Sequence, residues 1–394
     1  MPNAGKRHIV RNQATALVPI YGVTLIDVLG TMIMVPLLPY VAQHFGANGV
    51  TVGAILTTSA VAGTVASPMW GAVSDRLGRK RIVVIAQTVS LIGYVLLALA
   101  HSLEFMFVAR AIAGFGSGGL GVTQSYIADV TSEDQRDRAY ALFGAVFGLG
   151  IVLGPVLGGS LIRYGFAVPF AAAALIETIT ILLTLRFLPT THARTRAGEG
   201  TGMGRAARVV AGDAGVRSVV VRHVLFIFSV TYFFTVFSLY LRREMNVGPD
   251  VSSWLLAGAG AVGGIALVVV VGRLGARFGD VVVSEAGLVL LTLAYAALAY
   301  TRVLWGFGVA LAVWAIGAAS VEPTLTALLS RRAPARERGA IMGFNDAASN
   351  VALIVAPVAG GAAIDLNPHL VGIVPACAAF AAFAIGLWRE RRPG

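Results

Sequence analysis

The 394-residue chain is poor in charge, in cysteine and in anything that would bind a nucleotide. Charged residues make up 12% of it, against roughly 25% in a soluble domain, which excludes an ordinary water-soluble fold. The one cysteine, Cys377, lies in the last apolar run, so an intrachain disulfide is excluded. The six histidines read as scattered through loops and ends, none paired at metal-ligand spacing, so no metal and no cofactor is expected. A G-x-x-x-x-G-K-[ST] loop is missing too, so ATP is not expected to act as an energy source. Gly114-Phe-Gly-Ser-Gly-Gly119 satisfies G-x-G-x-x-G, but it has no preceding strand and sits inside an apolar run, the wrong context for a dinucleotide. Lysine is nearly absent, 2 against 28 arginines, the bias of a GC-rich bacterial genome.

What remains is apolar: 57% hydrophobic residues and 47 glycines, small residues that let helix backbones approach in lipid. Twelve apolar runs fall at about 14–40, 50–72, 82–101, 104–128, 138–163, 167–187, 219–241, 251–274, 281–300, 303–329, 339–364 and 369–388, each near the ~20 residues that span a bilayer. The net charge of +11 would suggest nucleic acid in a soluble protein, but its distribution points elsewhere. The N-terminus, the even-to-odd loops and the C-terminus hold 25 of the 30 Lys and Arg residues, and the opposite loops hold Arg163, Arg242, Arg243 and Arg302. By the positive-inside rule both termini are expected in the cytoplasm, with the chain multi-pass in a bacterial inner membrane. The opening Lys6, Arg7 and Arg11 followed by apolar residues imitates a signal peptide, but the run is too long and is read as an uncleaved first span.

The chain also repeats itself. Gly71-Ala-Val-Ser-Asp-Arg-Leu-Gly-Arg-Lys-Arg81 is echoed 201 residues later by Gly272-Arg-Leu-Gly-Ala-Arg-Phe-Gly279. Gly154-Pro-Val-Leu-Gly-Gly159 answers Ala356-Pro-Val-Ala-Gly-Gly361 at an offset of 202, as Arg136 answers Arg338. The expected organisation is a six-span half over 1–187, a linker over 188–218 and a second six-span half over 219–394. The linker is rich in Gly and Arg and reads as flexible and cytoplasmic. Six spans per half give parallel repeats about the membrane normal, with a site that opens to each side in turn.

These motifs together resemble the major facilitator superfamily, and within it the twelve-span drug/proton antiporters that include the tetracycline exporters. The resemblance covers essentially the whole chain and implies an all-α membrane protein of the major facilitator fold, with twelve transmembrane helices in two six-helix repeats. Gly71, Asp75, Arg76, Gly78, Arg79 and Lys80 stand at the positions of the family's signature loop, which helps latch the outward-open state. The second copy has Ala276 in place of Asp75 and lacks that carboxylate. Gly150, Gly154, Pro155, Gly158 and Gly159 resemble the fifth-span motif that sets antiporters apart from uptake members. Its glycines make a flat helix face and Pro155 bends the helix. Ordinary small-residue packing is the plainer reading.

Charge inside the runs marks the candidate coupling residues. Asp27, followed by Gly30, Pro36 and Pro39, is similar to the family's first-span pattern. A carboxylate at membrane depth costs on the order of 2.5–3.5 kcal/mol or more, so it is expected to face a cavity and act there, with a structural hydrogen bond to a neighbouring helix as the plainer reading. Arg110 resembles the fourth-span arginine associated with proton transfer. At 1.5 Å per residue, Asp27 lies ~20 Å from the cytoplasmic end of its span and Arg110 ~9–10 Å from the outer end of its own, similar depths at which they can pair. Glu322, beside Pro323, can engage a second proton or a cationic substrate. Asp346, with Asn345 and Asn350, reads as a bundle or gate residue, and Asp129 as a partner for loop arginines. Glu177 falls in a helix that the resemblance puts on the periphery, where a structural or oligomer contact is expected. Tyr21, Phe233, Phe237, Tyr240 and Trp314 are candidate cavity residues, since an apolar aromatic pocket suits lipophilic or cationic compounds.

The reading is a proton-coupled secondary transporter that exports a small lipophilic or cationic compound by alternating access. Its partners would be that small molecule, protons and the lipid bilayer, without nucleic acid and without ATP. An exporter or permease for an endogenous metabolite, such as a sugar or a lipid-like molecule, stays open beside it. A passive channel fits the two-half repeat less well. A membrane-embedded enzyme would need a nucleophile–base pair or metal ligands at depth, and the want of an intramembrane histidine counts against it.

Overall fold

The computed structural model describes residues 4–131, 133–189 and 203–390. Among these residues every regular element is a helix, and twelve helical stretches are long and apolar enough to cross a membrane. They run Leu17–His44, Gly49–Leu77, Arg79–Ala98, Leu103–Val130, Leu142–Tyr164, Ala167–Phe187, Ala214–Met245, Pro249–Gly275, Arg277–Tyr300, Leu304–Arg332, Arg338–Leu366 and Leu370–Arg389. In lipid each backbone polar group must find its partner within the segment, which a helix provides. Large apolar side chains within the spans face outward, Leu182 and Leu293 at 60% exposure among them, as expected where the surrounding solvent is hydrocarbon.

The chain divides into two compact units, one of Met1–Phe45 with Thr58–Arg196, the other of Gly46–Thr57 with Ala197–Gly394. In the first, the first span packs on the fifth and sixth, and the third on the fourth and sixth. In the second, the seventh packs on the tenth, eleventh and twelfth, and the ninth on the tenth and twelfth. The start of the second span belongs to the second unit. There the Gly49 and Val50 amides donate to Asp365, each at 3.0 Å, and the Thr57 hydroxyl donates to the Ile354 carbonyl at 2.7 Å. Arg243 holds the same Asp365 at 2.6 Å.

The repeat in the sequence is a repeat in the backbone. Gly78, between the second and third spans, has φ 94° and ψ 142°. Gly279, its counterpart 201 positions on, has φ 81° and ψ 161° inside the ninth span. Side-chain-bearing residues avoid that region, so glycine at both places permits the same sharp return. Pro155 and Pro357 sit inside matching helices of the two units.

One expectation is revised. Within the 188–218 stretch, Met203–Gly212 is a helix, with Ala206 and Val210 buried and Arg205 and Arg208 on its more open faces. Asp213 then caps the seventh span by accepting from the amides of Gly215 and Val216, so that span starts at Ala214. Arg194, Arg196, Gly198, Gly200 and Gly202 lie outside the described residues.

Candidate functional site

Small residues bring four helices of the first unit close together around Asp27. A Cβ built on Gly30 would lie 3.7 Å from the Ala173 carbonyl oxygen and 3.7 Å from Ile176, so the sixth span meets the first one turn from Asp27. On the opposite side the fifth-span motif closes in. A Cβ on Gly154 would stand 2.4 Å from that of Met32, and one on Gly158 2.6 Å from the Ile33 carbonyl oxygen. Gly150 meets Val28 in the same way, and Pro155 and Gly159 are buried beside these glycines. The third and fourth spans touch through Gly93 and Ala113, near Tyr94 and Arg110.

These approaches gather a polar cluster. Thr31 donates to the Asp27 carbonyl at 3.2 Å, which leaves the Tyr94 hydroxyl to donate to Thr31 at 3.0 Å. Tyr94 lies near enough to Asp27, Glu177 and Arg110 to interact electrostatically with all three. Glu177 is fully buried, at 0% exposure, and its carboxyl faces that of Asp27 at hydrogen-bonding range. The expected peripheral place for Glu177 is therefore corrected: it points inward. The expected partnership of Asp27 with Arg110 is also revised. Among the described residues no ion pair joins the two, and Arg110 Nε is buried without a hydrogen-bond partner.

Asp27 also borders a small recess of about 20 Å³, room for a water molecule, whose polar lining includes Thr24, Gln87, Ser90, Ser117 and Thr123. Two of these hydroxyls spend their hydrogens on backbone, Thr24 on the Ile20 carbonyl and Ser117 on the Gly114 carbonyl. Gln87 is buried and its amide oxygen has no partner. The wall thus offers acceptors, and suits a guest that brings donors or positive charge.

The second unit holds another cluster. His223 of the seventh span meets Glu322 through Nε2 at 3.1 Å, and its Nδ1 meets the Asn345 amide nitrogen at 2.8 Å. Asp346 lies near enough to interact electrostatically with the same ring. This corrects the placing of all six histidines in loops and ends. His223 is 5% exposed and lies nine residues inside a membrane span. Its position within the apolar run 219–241 was the available signal. A histidine therefore does lie inside a span, so its supposed lack no longer counts against catalysis.

The signature loop forms a compact ionic knot. Arg79 binds Asp75 at 2.7 Å, Asp129 of the fourth span at 3.0 Å and the Ser74 hydroxyl at 2.6 Å. Lys80 donates to the Leu185 carbonyl at 2.7 Å. Gly78 makes the turn, while Gly71 is half-buried and Arg76 exposed. Asp75 thus pairs within its own hairpin, and Arg79 supplies the link to the neighbouring helix.

The five aromatic candidates are packed rather than open. Tyr21 donates to the Ala139 carbonyl at 3.0 Å within a cluster containing Tyr126, Ile127 and Phe143. Phe233 lies 5.3 Å from Trp314 between ring centres, Phe237 5.9 Å from Phe307, and Tyr240 stacks on Phe307 at 6.0 Å. All four of the second unit's candidates are at most 5% exposed, because edge and stacking contacts bury each ring against another.

Comparison with known proteins follows the same lines. The family model described as Major Facilitator Superfamily matches residues 20–237 and 219–394. The chain is 26% identical to the class B tetracycline resistance protein of Escherichia coli, with 85% of each covered. It is 23% identical to the quinolone resistance protein NorA of Staphylococcus aureus, over 86% of this chain and 87% of that protein. Among solved structures it resembles the human organic anion transporter MFSD10 (TM-score 0.72, 19% identity, 95% and 99% covered). It also resembles the nucleoside transporter NupG (TM-score 0.74, 15% identity, 96% and 100% covered). At such identities the structures speak for the fold alone.

Proposed function

The chain belongs to the major facilitator superfamily, and from that premise we propose that it is a proton-coupled exporter of small lipophilic or cationic compounds, working by alternating access. The observation that carries this reading is the carboxyl of Asp27 on the rim of an acceptor-lined cavity within the span bundle. A charged side chain at depth is costly and marks an ion or substrate path. Resistance proteins against tetracycline and quinolones among the relatives support export of drug-like molecules.

In this reading Asp27 carries the proton, Arg110 tunes the cluster around it through Tyr94, and Glu322 with His223 forms a second proton site. The Arg79 knot serves as the gate, and the fifth-span glycines let that helix ride close against the first. The chain sits in a bacterial inner membrane with both termini in the cytoplasm. The hydroxyl and amide groups of the cavity also favour a second reading, export of a hydroxylated endogenous metabolite.

The test is accumulation of ethidium and tetracycline in a pump-deficient bacterium expressing the chain, with and without a protonophore, beside Asp27→Asn. Protonophore-sensitive lowering of accumulation that the variant loses is the expected result. With expression verified, no change for either compound overturns drug export in favour of the metabolite.

A further inference from the structure

We propose that Asp27 and Glu177 together form one proton-binding site, a single proton held between carboxyls of the first and sixth spans. The inference rests on the antiport reading above and names the second half of its coupling site. It begins with packing. Ala173 and Ile176 bracket the contact with Gly30, so Glu177, the next residue along, is brought to the face of the first span that carries Asp27. Glu177 is fully buried, and both its oxygens lack a hydrogen-bond donor.

Two facing carboxylates are both acceptors, and each offers the other only repulsion. Burying an unpaired carboxylate costs several kcal/mol, and burying two side by side costs more. One added proton converts the pair into a donor and an acceptor, satisfies an orphan oxygen and removes one negative charge. Nothing else nearby does so. The Tyr94 hydroxyl is committed to Thr31, and no ion pair among the described residues brings Arg110 to either acid.

A second observation points to traffic at the pair. Asp27 borders the cavity where the buried Gln87 amide oxygen waits without a donor. The chemistry is a proton binding to a carboxylate oxygen and leaving from it, with no other bond made or broken.

The full-length chain in inside-out vesicles tests this, with ethidium as the transported probe and acridine orange reporting the proton gradient. Unaltered protein should dissipate the gradient on ethidium addition. Glu177→Gln, which keeps size and packing, should lower that proton flux at least tenfold while ethidium still binds, and Glu177→Asp should restore part of it. Because one proton serves both acids, Asp27→Asn with Glu177→Gln should be no worse than either alone. Full proton flux in Glu177→Gln, or losses that multiply in the double variant, overturns the shared site alone. No flux in the unaltered protein overturns the antiport reading and the shared site with it. If Glu177→Gln fails to reach the membrane, infrared difference spectra of unaltered protein and Asp27→Asn decide. A protonated-carboxyl band that changes on ethidium binding and is displaced by Asp27→Asn supports the pair, and an unaltered band refutes it.

Discussion

A histidine held between an amide and a carboxyl must give each ring nitrogen a role. With the Asn345 amide donating to Nδ1, His223 Nε2 carries the hydrogen and donates to Glu322. Because the Glu322 side chain is half exposed, solvent screens the bond, which then contributes about 1 kcal/mol or less. His223→Leu should therefore slow ethidium efflux several-fold per molecule of protein in the membrane, measured in whole cells against immunoblot levels. Efflux at the unaltered rate would detach Glu322 from the histidine. Arg79 poses a related question, since it joins three partners at once. Arg79→Ala and Asp129→Asn should be strongly non-additive in efflux rate, with a coupling of about 0.5–3 kcal/mol. Arg79→Lys should rescue poorly, because an ammonium lacks the planar fork. At this scale Asp27, Arg110 and Glu322 were legible as charges in apolar runs. The inward place of Glu177 and the role of His223 were not legible, because their partners come from distant segments.

Among the helices, the first and fifth spans meet through glycine. The space for a Cβ at Gly154 is taken by Met32 and at Gly158 by the Ile33 carbonyl. Overpacking of this kind costs about 1–3 kcal/mol. Gly154→Val and Gly158→Val should each lower the melting temperature of the detergent-solubilised protein. Gly144→Ala on the same helix should not lower it and should raise it slightly, since a Cβ there meets nothing within 4 Å and alanine favours the helix over glycine. Equal effects at all three positions would mean that helix propensity, not close approach, governs this span. The element scale also shows why aromatic residues were poor cavity markers. An aromatic ring in an apolar helix fits a lipid face, a packed cluster or a cavity equally well. In the seventh span Phe233, Phe237 and Tyr240 found ring partners in other helices.

For the whole molecule the consequential detail is that residues 46–57 belong to the unit built with 197–394. A Cβ on Gly53 would stand 2.2 Å from the Pro357 carbonyl oxygen, and Asp365 accepts from the Gly49 and Val50 amides. A fragment of 197–394 expressed alone leaves those surfaces bare and should be degraded. Co-expression with 1–196 should restore its level several-fold, read by immunoblot of the membrane fraction; a stable lone fragment would refute the dependence. By itself the sequence determined what depends on local composition and spacing. Twelve spans follow from runs of apolar residues, the duplication from offsets of 201 and 202, and the hairpin turn from a glycine where φ must be positive. Only the tertiary structure decided which buried polar groups meet, that Asp27 faces Glu177 rather than Arg110 and that His223 bridges Glu322 and Asn345. The reason is physical: the cost of burying a charge can be read from one helix, but the partner that offsets it is chosen by how several helices pack.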